Sequence, residues 1–272
     1  MKRRSWFLII ASVLGFLFLY LPMLSLIIYS FNESRLVTVW GGFSTKWYTA
    51  LFQNDQIMDA AVLSLRIAFI SATISVVLGV MAGFALQRMG RFRGKMVFAG
   101  WVSAPLVMPD VIIGLSLLLL FVTMEGFFGW PERGELTIII AHATFCMASV
   151  AVIVQSRLSD MDESLEEAAM DLGAKPAALF FLVTLPLIAP AIVAGWLLSF
   201  TLSLDDLVIA SFVAGPGNST LPMVIFSKVR LGVTPEINAL ATLMISVVAA
   251  GVFIAMLHMR RKEKQDQLYS AT

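Results

Sequence analysis

Long uncharged apolar stretches alternate with short polar segments along the whole chain. Six stretches reach the ~20 mostly apolar residues that a helix needs to cross a lipid bilayer. They are Phe7–Ser30, Val62–Gln87, Val97–Thr123, Leu136–Val154, Val183–Val213 and Ala239–Met259. Backbone polar groups in lipid must be satisfied within the chain, so each stretch is expected to be helical. The pattern predicts an all-α integral membrane protein with about six transmembrane helices, folded as one transmembrane domain over residues 1–272. The first stretch follows Lys2-Arg3-Arg4 and stays apolar to Phe31. That is too long for the apolar core of a cleaved signal peptide, so it reads as a retained first helix.

Within the spans, departures from plain hydrophobicity carry the information. Ser71, Ser75, Gly79 and Gly83 recur every four residues. Small residues on one helix face allow a second helix to approach closely, which predicts a tightly packed second span. Pro105 and Pro109 interrupt the third span beside Asp110, which lies about 20 Å along it at ~1.5 Å per residue and so near mid-membrane. The fifth span is longer than a crossing needs and contains Ser203-Leu204-Asp205-Asp206, which reads as a break capped by an acid. Thr234-Pro235-Glu236 supplies an N-cap, a first-turn proline and an acid at the positive end of the sixth helix. Trp40, Trp47 and Tyr48, between the first two spans, suit a membrane interface.

Composition agrees: 59% of residues are hydrophobic and 14% charged, against roughly 25% charged in a soluble domain. A net charge of +1 gives no reason to expect nucleic acid as a partner. With the N-terminus inside, the inner segments hold thirteen Lys and Arg and the outer ones six. The positive-inside rule then places both termini in the cytoplasm. One cysteine, Cys146, forms no internal disulfide and reads as a small core residue. His142 reads as a satisfied core histidine, His258 lies at the end of the last span, and no residues show metal-ligand spacing.

The segment from about Gln155 to Leu182, between spans four and five, departs from the basic character of inner loops. It carries Asp160, Asp162, Glu163, Glu166, Glu167 and Asp171. Ser164 and Glu167 have capping-box spacing, so a short helix is expected to start there. Glu167 and Asp171 share one of its faces, while Ala168, Ala169 and Leu172 make a slim apolar side. Gly173 permits the left-handed turn that ends a helix, and Lys175-Pro176 leads into a second amphipathic piece with Leu179, Phe180 and Phe181. Such a helix–glycine–helix suits a groove on another protein.

Glu167-Ala168-Ala169, Gly173 and then Val183-Thr184-Leu185-Pro186 resemble the EAA signature of ABC importer permeases, with Val183 in place of the usual isoleucine. The resemblance implies a type I ABC importer permease fold in a bacterial inner membrane. It also implies that this loop is the coupling helix, with Glu167, Ala168, Ala169, Asp171 and Gly173 meeting a cytoplasmic ATPase dimer. The further implied partners are a second permease subunit, a periplasmic polyamine-binding protein and membrane lipid. ATP and Mg would bind the ATPase; no cofactor is expected on this chain. The chain's own nearest phosphate-loop candidate, Gly90 to Met96, has the wrong glycine spacing and no hydroxyl after Lys95.

Ala104–Asp110, Ser203–Val208 and Pro235–Thr242 resemble the polyamine branch of the family. Leu36–Trp40 and Glu166–Gly173 are most similar to the second permease of a putrescine importer, with a spermidine-preferring permease as the near alternative. Asp110, Asp205 and Asp206 are the expected substrate-path residues, because acids buried in a membrane are costly and suit a cationic cargo. On the structural alternative, Asp206 caps a helix, Asp205 pairs with Arg66 or a backbone donor, and Asp110 steadies the proline break. An ion-coupled secondary transporter would leave the acidic loop unexplained. A membrane enzyme would need a nucleophile, base or metal constellation, and no catalytic residue stands out.

Overall fold

The computed structural model describes residues 6–36, 39–232, 234–250 and 253. The chain divides into two compact units, Met1–Met58 with Ile225–Thr272, and Asp59–Val224. Helices α1 (Trp6–Ser30), α2 (Lys46–Phe52), α3 (Asp55–Arg88), α4 (Lys95–Ser103), α5 (Asp110–Phe128) and α6 (Glu135–Ser159) come first. The later helices are α7 (Ser164–Asp171), α8 (Pro176–Leu179), α9 (Leu185–Asp205), α10 (Val208–Val213), α11 (Leu221–Leu231) and α12 (Pro235–Ala250). Among the described residues, five helical stretches are long and apolar enough to cross a membrane: α1, α3, α5, α6 and the run Pro176–Asp205. The sixth expected span is seen as α12, which starts four residues before Ala239; its end towards Met259 lies outside the described residues.

In the first unit, α1 buries only Ser30. A helix this apolar all round is suited to lipid or to helices of another chain. The segment after it is organised by Asn32, which is buried and makes four hydrogen bonds. Its amide donates to the carbonyls of Leu36 (3.3 Å) and Val39 (2.8 Å), and its oxygen accepts from the N–H groups of Ser34 (3.2 Å) and Gly41 (2.8 Å). Trp47 is buried and donates through Nε1 to the Asn32 carbonyl at 2.6 Å, so this ring holds the loop rather than facing an interface as expected. Trp40 stays half exposed.

The second unit is built around α6, which is buried on nearly every face between Thr137 and Leu158. The four small residues of α3 meet it in constant register. Ser71 and Ser75 donate to the carbonyls of Ile139 (3.4 Å) and Ala143 (3.1 Å). A Cβ on Gly79 or Gly83 would stand 3.0 Å from the carbonyls of Met147 and Ala151. Each step of four on α3 is a step of four on α6, so the helices run parallel with one face of α3 laid on a single row of carbonyls. This is the close packing that the small residues predict.

Helix α9 crosses α6 in the opposite sense. Val150 lies against Gly195, Cys146 donates to the Ser199 carbonyl at 3.6 Å, and His142 meets Ser203. Cys146 is buried, as a small core residue should be.

The proline break expected in the third span is present: α4 ends at Ser103, a 3-10 turn covers Ala104–Leu106, and α5 begins at Asp110. Pro109 has an extended ψ of 138° and no N–H to continue the ladder. One expectation about continuity fails: the second amphipathic piece of the loop is not a separate element. Pro176 opens a helix that continues to Asp205 through a wide π turn at Phe180–Thr184.

Candidate functional site

Two places combine the residues singled out from the sequence: the loop around α7, and the breaks in the third and fifth spans.

Helix α7 is the expected short helix, but its N-terminus differs from the capping box. Ser164 is its first residue and makes no cap with Glu167. Asp162 does that work: its Oδ1 accepts the Ser164 N–H at 3.0 Å, and this hydrogen bond holds the carboxyl below its usual value of 3.8. The C-terminus agrees with the sequence. Gly173 has φ +84°, the Gly173 N–H donates to Met170 (2.8 Å) and the Ala174 N–H to Ala169 (3.1 Å). That pair of bonds is a Schellman motif, and the left-handed residue in it favours glycine. Glu167, Ala168, Asp171 and Gly173 are exposed and Ala169 half-buried, so the face expected to meet a partner is open. Leu172 is 90% exposed beside it.

Glu166, next to Glu167, faces inward. Arg88, at the end of α3, places Nε 3.1 Å from Glu166 Oε2 and Nη1 2.6 Å from Glu163 Oε1. Thr184 donates to Glu166 Oε1 at 2.9 Å. The Arg88 and Glu166 side chains are 8% and 13% exposed. In the sequence, Glu166 is one acid among several and Arg88 one of many inner cations. Glu166 and Glu167 are about 100° apart round the helix, which lets one face Arg88 while the other stays open.

The second place is set by two breaks. Helix α9 ends at Asp205 and Asp206 turns extended (φ −67°, ψ 127°). Asp206 caps the next helix, α10: its carboxylate accepts the N–H groups of Ile209 (3.3 Å) and Ala210 (2.7 Å). His142 Nε2 lies 3.1 Å from Asp206 Oδ2, and its Nδ1 lies 2.7 Å from Ser203 Oγ. A carboxylate only accepts, so Nε2 carries the proton, and a neutral ring then accepts from the Ser203 hydroxyl. His142 is 1% exposed and fully partnered, as expected for a core histidine; its link to Asp206 was not legible in the sequence. Arg66 pairs with Glu135 rather than with Asp205, because the parallel register of α3 and α6 sets Arg66 beside the start of α6.

Asp110 moves relative to expectation. The mid-helix position assumed a continuous third span, whereas Asp110 opens α5, where an acid faces the positive helix end. Helix α5 joins α6 through the short turn 129–134, so it runs opposite to α6 and parallel to α10. A Cβ on Gly114 would meet the Phe212 ring at 2.7 Å and Ile209 Cα at 3.3 Å. Asp110 lies one turn before Gly114 in α5, and Asp205 and Asp206 stand at the break before α10. The fold divides the three acids: Asp110 and Asp205 are exposed, while Asp206 is committed to α10 and His142.

Residues 75–264 match the family described as binding-protein-dependent transport system inner membrane component. The chain is 61% identical to the putrescine transport system permease protein PotI of Escherichia coli K12, over 96% of this chain and 94% of that one. It is 43% identical to the spermidine/putrescine transport system permease protein PotC of Haemophilus influenzae, over 90% and 93%. Its fold matches a bacterial ABC transporter involved in import of the acidic polysaccharide alginate, with a TM-score of 0.71 and 18% identity, covering 95% of this chain and 98% of that one. An inward-facing methionine ABC transporter gives a TM-score of 0.61 at 16% identity, covering 73% and 92%. The apolar helices, the open helix–glycine loop and these likenesses agree: the chain belongs to the binding-protein-dependent family of inner-membrane transport components, as a non-enzymatic permease subunit with the type I ABC importer fold.

Proposed function

We propose that this chain is the permease subunit of an ATP-driven polyamine importer, with putrescine as its main cargo. The observation that carries the reading is helix α7 with its Gly173 turn, exposed on the family's coupling motif in a chain 61% identical to a putrescine permease. A second permease completes the pore, and a periplasmic polyamine-binding protein delivers cargo from outside. An ATPase dimer, holding ATP and Mg, grips α7 through Glu167, Ala168, Ala169, Asp171 and Gly173. Closure of the ATPase pair displaces α7, and the spans switch between two arrangements. Both termini face the cytoplasm, and residues 1–272 act as one transmembrane domain.

Asp110 and Asp205 are the proposed path residues for a dication. Among the described residues neither carboxylate has an ion-pair partner, and each stands at a helix break, where it offers charge to an ammonium that would otherwise lose its hydration. Asp206 serves the path by fixing the break.

The test is uptake of labelled putrescine and spermidine by the reconstituted complex of both permeases, the ATPase and the binding protein. Uptake that requires ATP and binding protein, and that favours putrescine, is expected. Uptake driven by an ion gradient without ATP would overturn the reading. Preference for spermidine would overturn the choice of cargo alone.

A further inference from the structure

The acidic loop divides its work between two faces, and only one of them is free to meet a partner. Glu167 and Asp171 are open, whereas Glu166 is folded back onto Arg88 and Thr184. Arg88 is the last residue of α3, and Thr184 lies where the π turn joins α9. Phe180, in the same π turn, stacks edge-on against Phe84 of α3 with ring centroids 5.1 Å apart. Three elements distant in sequence thus meet at one buried ion pair with a hydroxyl and an aromatic contact beside it.

We propose that Arg88, Glu166 and Thr184 form a strap that makes α7 one rigid body with the inner ends of the second and fifth spans. Without it, α7 is joined to α6 by the Asp160–Glu163 turn and to the Pro176–Asp205 helix by the Gly173 turn. With it, a displacement of α7 reaches α3 and α9 directly, because a largely buried ion pair backed by the Thr184 hydrogen bond holds its geometry where an exposed pair would not. Glu163 adds little to this, since its side chain is 72% exposed. The π turn fits the same role: wide turns place a side chain that a regular helix would aim elsewhere, and they recur at working sites. Arg88 is thus a positioning residue for the coupling step; it need not touch cargo or nucleotide.

The proposal rests on the reading of α7 as the ATPase contact. The experiment uses the complete reconstituted complex and measures two quantities: ATPase retained on purification, and putrescine transported per ATP hydrolysed. Arg88→Ala is expected to retain the ATPase while transport per ATP falls at least about fivefold, the scale of an ordinary coupling energy. Thr184→Val, which removes one hydroxyl at nearly constant volume, is expected to lower the ratio less, and Thr184→Ser to preserve it. A wild-type ratio in both Arg88→Ala and Thr184→Val overturns the strap. If Arg88→Ala does not assemble, Thr184→Val against Thr184→Ser decides by the same ratio. Glu167→Lys separates the two claims: it is expected to lose the ATPase altogether, and retention of a fully active ATPase there would overturn the docking reading instead.

Discussion

Asp205 and Asp206 are neighbours with different work. Asp206 accepts two backbone N–H groups and the His142 ring, so its carboxylate is spent on structure. Asp206→Ala removes a cap worth about 0.5–2 kcal/mol and leaves a buried imidazole N–H unpaired, at a further ~1–3 kcal/mol. The expected result is less assembled complex and a lower melting temperature in detergent, with little change in transport per assembled complex. Asp110→Asn and Asp205→Asn change charge while keeping shape. Each is expected to leave assembly intact and to lower the uptake rate per complex roughly fivefold, more for spermidine than for putrescine, because attraction scales with the charge of the cargo. Unchanged normalised rates for both cargoes would move these two acids to the structural side. The sequence offered all three acids as path residues and a helix cap as the structural alternative for Asp206, which the structure shows. Their division depends on which carboxylate lies within reach of His142, sixty-four positions away from Asp206.

At the scale of elements, the α3–α6 contact was the most legible feature. A four-residue repeat of Ser and Gly specifies a flat face, and the structure places that face on the carbonyls of α6. Helices in lipid gain little from hydrophobic burial, so close approach is what holds this pair. Gly79→Val should therefore separate it: a Cβ there would stand 2.5 Å from the Val150 Cβ and 3.0 Å from the Met147 carbonyl. Overpacking of this kind costs about 1–3 kcal/mol and should lower the melting temperature of the solubilised protein. Gly126→Ala, with open space around the added carbon, is the matched control and should melt as the wild type does. Element ends were less legible. Ser164-x-x-Glu167 has capping-box spacing, yet Asp162 takes the cap, because an acid two residues before the helix reaches the same N–H with a full charge.

For the whole molecule, the fold of an inner-membrane permease follows from six apolar stretches and one loop motif, and its likeness to solved importers covers nearly the whole chain. The proposed orientation rests on thirteen inner against six outer basic residues. It predicts that a reporter fused after Thr272 is active in a cytosolic format and silent in a periplasmic one. The reverse result would mean an odd number of crossings.

Membrane residence, helical class, the helix–glycine turn at Gly173 and the packing face of α3 were legible in the sequence alone. Each is a local pattern: a hydrophobic length, a glycine that takes φ +84°, a repeat on one helical face. The tertiary structure decided what depends on contacts between distant segments. It packed α5 against α10 and bound Asp206 to His142. It also turned Glu166 inward to Arg88 while leaving Glu167 open. A charged side chain in or beside a membrane is settled by its nearest partner, and which partner is nearest is a property of helix register that no single segment encodes.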